Sequence, residues 1–219
     1  MPEERAAVSL EGILREMREV AKSATRGSLN TPQIREIARR AGKNQALAEE
    51  LWATGIHDAR IVASFVADPH KITRSTMDRW TRDFDSWNVC DSCCWGLFDR
   101  SPYAWQKIPR WAAAKPEFVR RAAFTTLAGL AVHDKAAEDE LFLNSLALIE
   151  QYAFDDRNFV RKGVNWALRN IGKRNFRLLP AAVACAERVR AQNSRAARWI
   201  AADALREFRI KYGSHEPVR

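Results

Sequence analysis

The stretch Asp83 to Phe98, DFDSWNVCDSCCWGLF, holds the residues best placed to do chemistry. At about 100° per residue, Trp87, Asp91, Cys94, Trp95 and Phe98 fall on one arc of a helix, with Cys90, Cys93 and Leu97 on the arc beside it. Asp91 then has a tryptophan four residues to either side, where helical side chains meet. A carboxylate among aromatic faces loses water, a costly placement for a charge without a task. The chemistry open to it is that of an active-site acid. The alternative is a partly exposed carboxylate paired with Arg82 or Arg100.

Two later segments carry a different chemistry. In Phe159 to Lys173, a wheel gives Val160, Val164, Ala167, Leu168 and Ile171 as the core stripe. Trp166 lies off that stripe, among Lys162, Arg169 and Lys173. In Phe118 to Leu130 the stripe is Val119, Ala123, Leu127 and Leu130, and Arg121 points away beside Thr125 and Ala128. A basic face with one exposed ring, and an arginine among small residues, suit a nucleic-acid backbone. The alternative is a solvated helix face whose tryptophan is covered by a neighbouring helix.

Charge agrees with a polyanionic partner. The 219 residues contain 36 Lys and Arg against 27 acids, a net +9, and 47% are hydrophobic, enough for a full core. Nucleic acid comes first and an anionic membrane surface second. No apolar run reaches the length of a membrane span and no hydrophobic signal core opens the chain, so a soluble, cytoplasmic protein is expected. Cys90, Cys93 and Cys94 share one turn, with Cys185 far away; no second CxxC or HxxxH accompanies them, and the four histidines are scattered. Small apolar packing is their expected role, and no metal site is expected.

The elements that must position these residues all read as helices. They are expected at Leu10–Lys22, from Thr31-Pro32 to Ala41, Asn44–Ala53, His57–Ala67, Ile72–Phe84, after Ser86 as cap, Tyr103–Ala112, Pro116–Val132, Ala137–Ala153, Asn158–Lys173, Arg177–Ala191 and Ser194–Lys211. Nothing alternates with period two, so the chain is all-α. It is expected to form one domain: a helix and polar break over 1–30, a repeat array over 31–212 and a tail over 213–219. FVRRAAFTTLAGL from Phe118 resembles FVRKGVNWALRNI from Phe159, 41 residues on. SRAARWIAADAL from Ser194 is a weaker copy and HDARIVASFV from His57 an earlier one. A helical-pair repeat near 40 residues indicates a HEAT-like solenoid, whose second helices line a concave surface. The copies are those second helices, which makes the groove basic.

The segments GKNQALAEELWATGIHDARIVASFV (42–66), SWNVCD (86–91), FVRRAAF (118–124) and KGVNWALRNIGK (162–173) resemble, in order, the HEAT-like repeat alkylpurine DNA glycosylases, the AlkD-like DNA alkylation repair enzymes. The likeness covers about residues 31–209. It implies that Trp87 and Asp91 supply a groove tryptophan and the catalytic aspartate, that Arg121 grips the backbone, and that Trp166 is a second groove tryptophan. Lys162, Arg169 and Lys173 are then DNA contacts. One departure stands out: RGSLN (26–30) replaces the aromatic segment that many members carry before the second helix.

The implied reaction removes cationic N3- or N7-alkylated purines from duplex DNA. Alkylation makes the purine a leaving group without protonation, so no general acid and no cofactor are needed. Asp91 would stabilise the oxocarbenium-like transition state and guide water to C1′, while Trp87 and Trp166 offer π faces to the cation. The family is understood to act without a base-flipping pocket. A monomer on duplex DNA is expected. Two other classes stand beside this one: a non-catalytic DNA-binding HEAT protein and a protein-binding HEAT scaffold.

Overall fold

The computed structural model describes residues 8–22 and 28–213. Among them are twelve α-helices, one short 3-10 turn and no strand, so the protein is all-α as its periodicity requires. Residues 23–27 lie outside the described residues, and with them the first half of the expected polar break Thr25–Asn30, including Arg26 and Gly27 of RGSLN, as does the expected tail beyond Gly213. The chain divides into two compact units, Met1–Trp80 and Thr81–Arg219, each described by itself.

The first unit contains α1 (Leu10–Lys22), α2 (Thr31–Ala41), α3 (Gln45–Ala53), α4 (His57–Val66) and most of α5 (Arg74–Arg82). Local chemistry sets its helix starts. Asn30 and Gln33 form a reciprocal capping box ahead of α2, and Asn44 accepts from the Leu47 amide to begin α3. The Thr73 hydroxyl accepts from the Thr76 amide at 3.1 Å, so α5 begins two residues later than the expected Ile72. Trp52 and Trp80 stack at 4.1 Å in the core of this unit.

The second unit continues with α6 (Trp87–Cys94), α7 (Ala104–Ala112), α8 (Glu117–His133), α9 (Asp139–Tyr152), α10 (Asn158–Arg174), α11 (Leu178–Arg190) and α12 (Arg195–Tyr212). Pairs α7/α8 and α11/α12 pack within themselves; α6, α8, α10 and α12 are successive neighbours in one row, and α7, α9 and α11 in another. The repeat holds: α8 and α10 start 41 residues apart, as the two FVR segments do. The α10 stripe Val160, Val164, Ala167, Leu168 and Ile171 is fully buried.

Two expectations fail here. The central helix is shorter than the Asp83–Phe98 arc required, because Gly96 takes a φ of 109° and ends it. Phe98 therefore leaves the Asp91 face and packs against Trp111 at 5.7 Å. Ser86 stands at the N-cap position, but its hydroxyl turns to Asp85 and makes no capping bond. The second failure is α8, which is not amphipathic: residues 121–131 are buried without interruption, because α6, α7 and α10 surround the helix. Arg121, Thr125 and Ala128 thus lie inside, where the wheel placed them pointing away.

Candidate active site

The row of second helices in the second unit bounds a cavity of about 600 Å³ lined by Trp87, Asp91, Arg121, Phe159, Lys162, Asn165, Trp166, Arg169, Trp199 and Asp203. Three of these helices contribute at i and i+4: Trp87 and Asp91 from α6, Lys162 and Trp166 from α10, Trp199 and Asp203 from α12; α8 contributes Arg121. That spacing puts both side chains on one face. Six of the seven site residues expected from the sequence thus meet in one place. The seventh, Lys173, sits one turn beyond Arg169 on α10.

Asp91 is held by α8. Arg121 donates from Nε to Oδ1 at 2.8 Å and from Nη2 to Oδ2 at 2.7 Å, a bidentate pair, and its Nη1 donates to the Phe159 carbonyl at 2.6 Å. Thr125 adds a long contact to Oδ1 at 3.4 Å. The Asp91 side chain is 18% exposed and that of Arg121 only 6%. Burial pulls the Arg121 pKa down, but the hydrogen bond and charge of Asp91 outweigh it and leave the guanidinium above its ordinary value. Asp91 is therefore neither the acid between two tryptophans nor the partner of Arg82 or Arg100. Its fixed partner is Arg121, whose hydrogen bonds go to both Asp91 oxygens and to the Phe159 carbonyl.

The tryptophans take separate places. Trp87 is half exposed at 51%. Trp95, just past the end of α6, stacks on Trp166 at 4.7 Å and 14°, and meets the edge of His133 at 4.8 Å. Trp166 is thus off the core stripe, as expected, and half-buried against the Trp95 ring. Behind it, His133 Nδ1 and Asp99 Oδ2 lie 2.6 Å apart, and the Gly96 amide donates to Asp99 Oδ1 at 2.8 Å. Burial pushes the Asp99 carboxyl up, and the hydrogen bond from His133 offsets only part of that rise.

The basic face is largely neutralised from α12. Arg169 pairs with Glu207 and reaches Asp203 at 3.7 Å, and Lys173 pairs with Glu207 as well. Burial would raise the Glu207 carboxyl, but these two cations hold it below its ordinary value. Lys162 stands exposed at the cavity and makes no ion pair with a described residue. Arg195, Arg198 and Arg209 on α12 are likewise exposed and make no ion pair with a described residue.

Phe159, Asn165, Trp199 and Asp203 line the cavity beyond the expected set. Two signals pointed to three of them: Phe159 opens a quoted repeat, and WIAAD (199–203) has the same W-x-x-x-D spacing as WNVCD (87–91). The cysteines Cys90, Cys93 and Cys94 are buried; burial first, and Cys94 beside it, push the Cys90 thiol well up. Among the described residues no three His, Cys, Asp or Glu side chains gather as a metal site, and no helix is long and apolar enough to cross a membrane.

Repeated helix pairs, with an arginine-held acid and tryptophans facing one groove from the second helices, define a helical-repeat protein with a built polar site. Residues 7–208 match the sequence model of a family described as DNA alkylation repair enzyme, and the chain belongs to that family. A solved structure described as "a new family of proteins related to the HEAT-like repeat DNA glycosylases with affinity for branched DNA structures" aligns with a TM-score of 0.72 at 21% identity, covering 91% of this chain and 95% of that one. The fold is thus HEAT-like. Two designed armadillo repeat proteins, one in complex with the peptide (KR)4, align at TM-scores of 0.47 and 0.42, each 15% identical. They cover 89% and 95% of this chain, and 91% and 95% of their own. No curated protein matches the chain significantly.

Proposed function

We propose that this chain hydrolyses the N-glycosidic bond of cationic N3- or N7-alkylated purines in duplex DNA. The carrying observation is Asp91, a carboxylate fixed by a bidentate arginine at the wall of a tryptophan-lined cavity. An alkylated purine is already a cation and departs without a proton. What rises in the transition state is positive charge at C1′, and a preorganised carboxylate facing it lowers the barrier. Arg121 and Asp91 together are neutral, but the effect is local. A sugar in contact with a carboxylate oxygen is nearer to that oxygen than to the guanidinium behind it, so the attractive term wins. Oδ1 accepts from Arg121 and the Thr125 hydroxyl, while Oδ2 spends one lone pair on Arg121 and keeps another to orient water. The rings of Trp87 and Trp166 offer π faces to the cationic nucleotide.

The test is single-turnover release of 7-methylguanine from methylated duplex by the parent and by Asp91→Asn, with melting measured in parallel. Removing one preorganised contact of this kind costs about 10²–10³ in rate. Excision within a few-fold of the parent by a folded variant would make Asp91 structural. A second reading, DNA binding without catalysis, is suggested by the structural relative described as having affinity for branched DNA. It predicts no release by the parent and tighter binding to a four-way junction than to a linear duplex.

A further inference from the structure

The cavity has two acid–tryptophan pairs, and the mechanism uses only one. Trp199 and Asp203 on α12 repeat the spacing of Trp87 and Asp91 on α6 and line the same cavity. The two carboxylates are equally accessible, each 18% exposed. Each is also held by a side-chain donor from α8 or α10. Asn165 Nδ2 donates to Asp203 Oδ2 at 2.7 Å, and Arg206 pairs with Oδ1 from the same helix. Asn165 is only 3% exposed and lines the cavity, yet its Oδ1 has no hydrogen-bond partner, an unmet acceptor beside the second acid. Trp199 is 37% exposed, with the Arg161 guanidinium 5.1 Å from its ring centroid, so the ring already binds a delocalised cation.

The reaction has two positions of positive charge. Before bond cleavage the charge sits on the alkylated base; during cleavage it moves to the sugar. We infer that Trp199 and Asp203 form a subsite for the cationic base, leaving Asp91 to the sugar. This rests on the glycosylase reading above and adds a division of labour to it. A carboxylate near the base stabilises the ground state, which loses its charge as the bond breaks. Such a contact strengthens selection of the lesion and does nothing for the transition state, or opposes it. The two acids therefore differ in sign: Asp91 acts on rate, Asp203 on discrimination.

The experiment compares the full chain with Asp203→Asn, Trp199→Ala and Asp91→Asn. Binding is measured on duplexes carrying 2′-fluoro-7-methylguanine, cationic and resistant to hydrolysis, and its neutral isostere 7-deaza-7-methylguanine. Single-turnover release of 7-methylguanine is measured at saturating protein. In the Asp203→Asn protein the preference for the cationic duplex falls about fivefold, the size of one partly solvated charge contact. Trp199→Ala, at an exposed ring, lowers the same ratio. The saturated rate of Asp203→Asn holds or rises, whereas Asp91→Asn loses about 10²–10³. A preference within twofold of the parent in both α12 variants overturns the subsite and leaves Asp203 as the partner of Arg169 and Arg206. A saturated rate as low as that of Asp91→Asn also overturns it, by placing Asp203 at the sugar. Failure of the glycosylase reading shows separately, as a parent that neither prefers the cationic duplex nor releases the base.

Discussion

Replacing Arg121 by alanine separates a buried partner from a backbone grip. The guanidinium gives both oxygens of Asp91 a hydrogen bond and spends a third on the Phe159 carbonyl. Its removal leaves a carboxylate that is 18% exposed with water on the cavity side alone. Breaking a buried ion pair by deleting one partner costs about 3–5 kcal/mol. Because Asp91 keeps cavity water, the lower end, about 3 kcal/mol, is expected. At about 2–4 °C per kcal/mol for a chain of this size, melting falls by about 6–12 °C. The salt dependence of duplex binding stays the same, since no phosphate contact is lost. Arg121→Ala with Asp91→Asn should melt higher than Arg121→Ala alone, because the uncompensated charge has gone. Thermal melting and duplex affinity across a salt series are the assays. Unchanged melting together with a salt slope lower by about 0.9 would refute the argument, since that is the mark of one phosphate contact.

Phosphate contact is expected instead at cations without an ion pair among the described residues: Lys162→Ala and Arg198→Ala should each lower that slope by about 0.9 for any duplex sequence, and a flat response excludes the residue. Gly129 has no room for a side chain, since an added Cβ would collide with the Asp99 carboxylate and stand 2.9 Å from its Cβ. Gly129→Ala should destabilise by about 1–3 kcal/mol or more, while Gly163→Ala, with its nearest contacts at 3.5 Å, should melt close to the parent. Asp155 is buried; burial raises its carboxyl, but hydrogen bonds from Arg157 and Arg120 outweigh that and hold it below the ordinary range. A depressed carboxylate contributes stability present above its unfolded pKa of about 3.9. That stability is lost as pH falls from there through the lower folded value. Acid unfolding of Asp155→Asn should therefore be flatter below about pH 4, and an identical acid limb would show that the Arg120–Asp155–Arg157 cluster contributes nothing.

Much of this protein was legible in single helices. Apolar period marked out the described helices, and capping residues set the starts of α2, α3 and α12, because helix formation depends on neighbours three and four residues away. The 41-residue recurrence of FVR identified α8 and α10 as second helices, the α10 wheel set Trp166 off the core stripe among Lys162, Arg169 and Lys173, and the i, i+4 spacing of Trp87 and Asp91 put that pair on one face of α6. WIAAD carried a further readable signal, the i, i+4 spacing of WNVCD. What a wheel cannot contain is the face of another helix. Arg121 read as outward because small residues flank it; those residues are small because α6, α7 and α10 press on α8 from every side, and the charge that meets Arg121 there is Asp91, 30 residues earlier. Arg169 and Lys173 read as a basic face because their neutralising acids, Asp203 and Glu207, lie on the next repeat, 34 to 38 residues on. Trp95 left the Asp91 arc for Trp166 because one glycine turned the chain. The local sequence determined which residues could meet, and the packing of repeat on repeat decided which charges are spent on each other and which remain for a ligand.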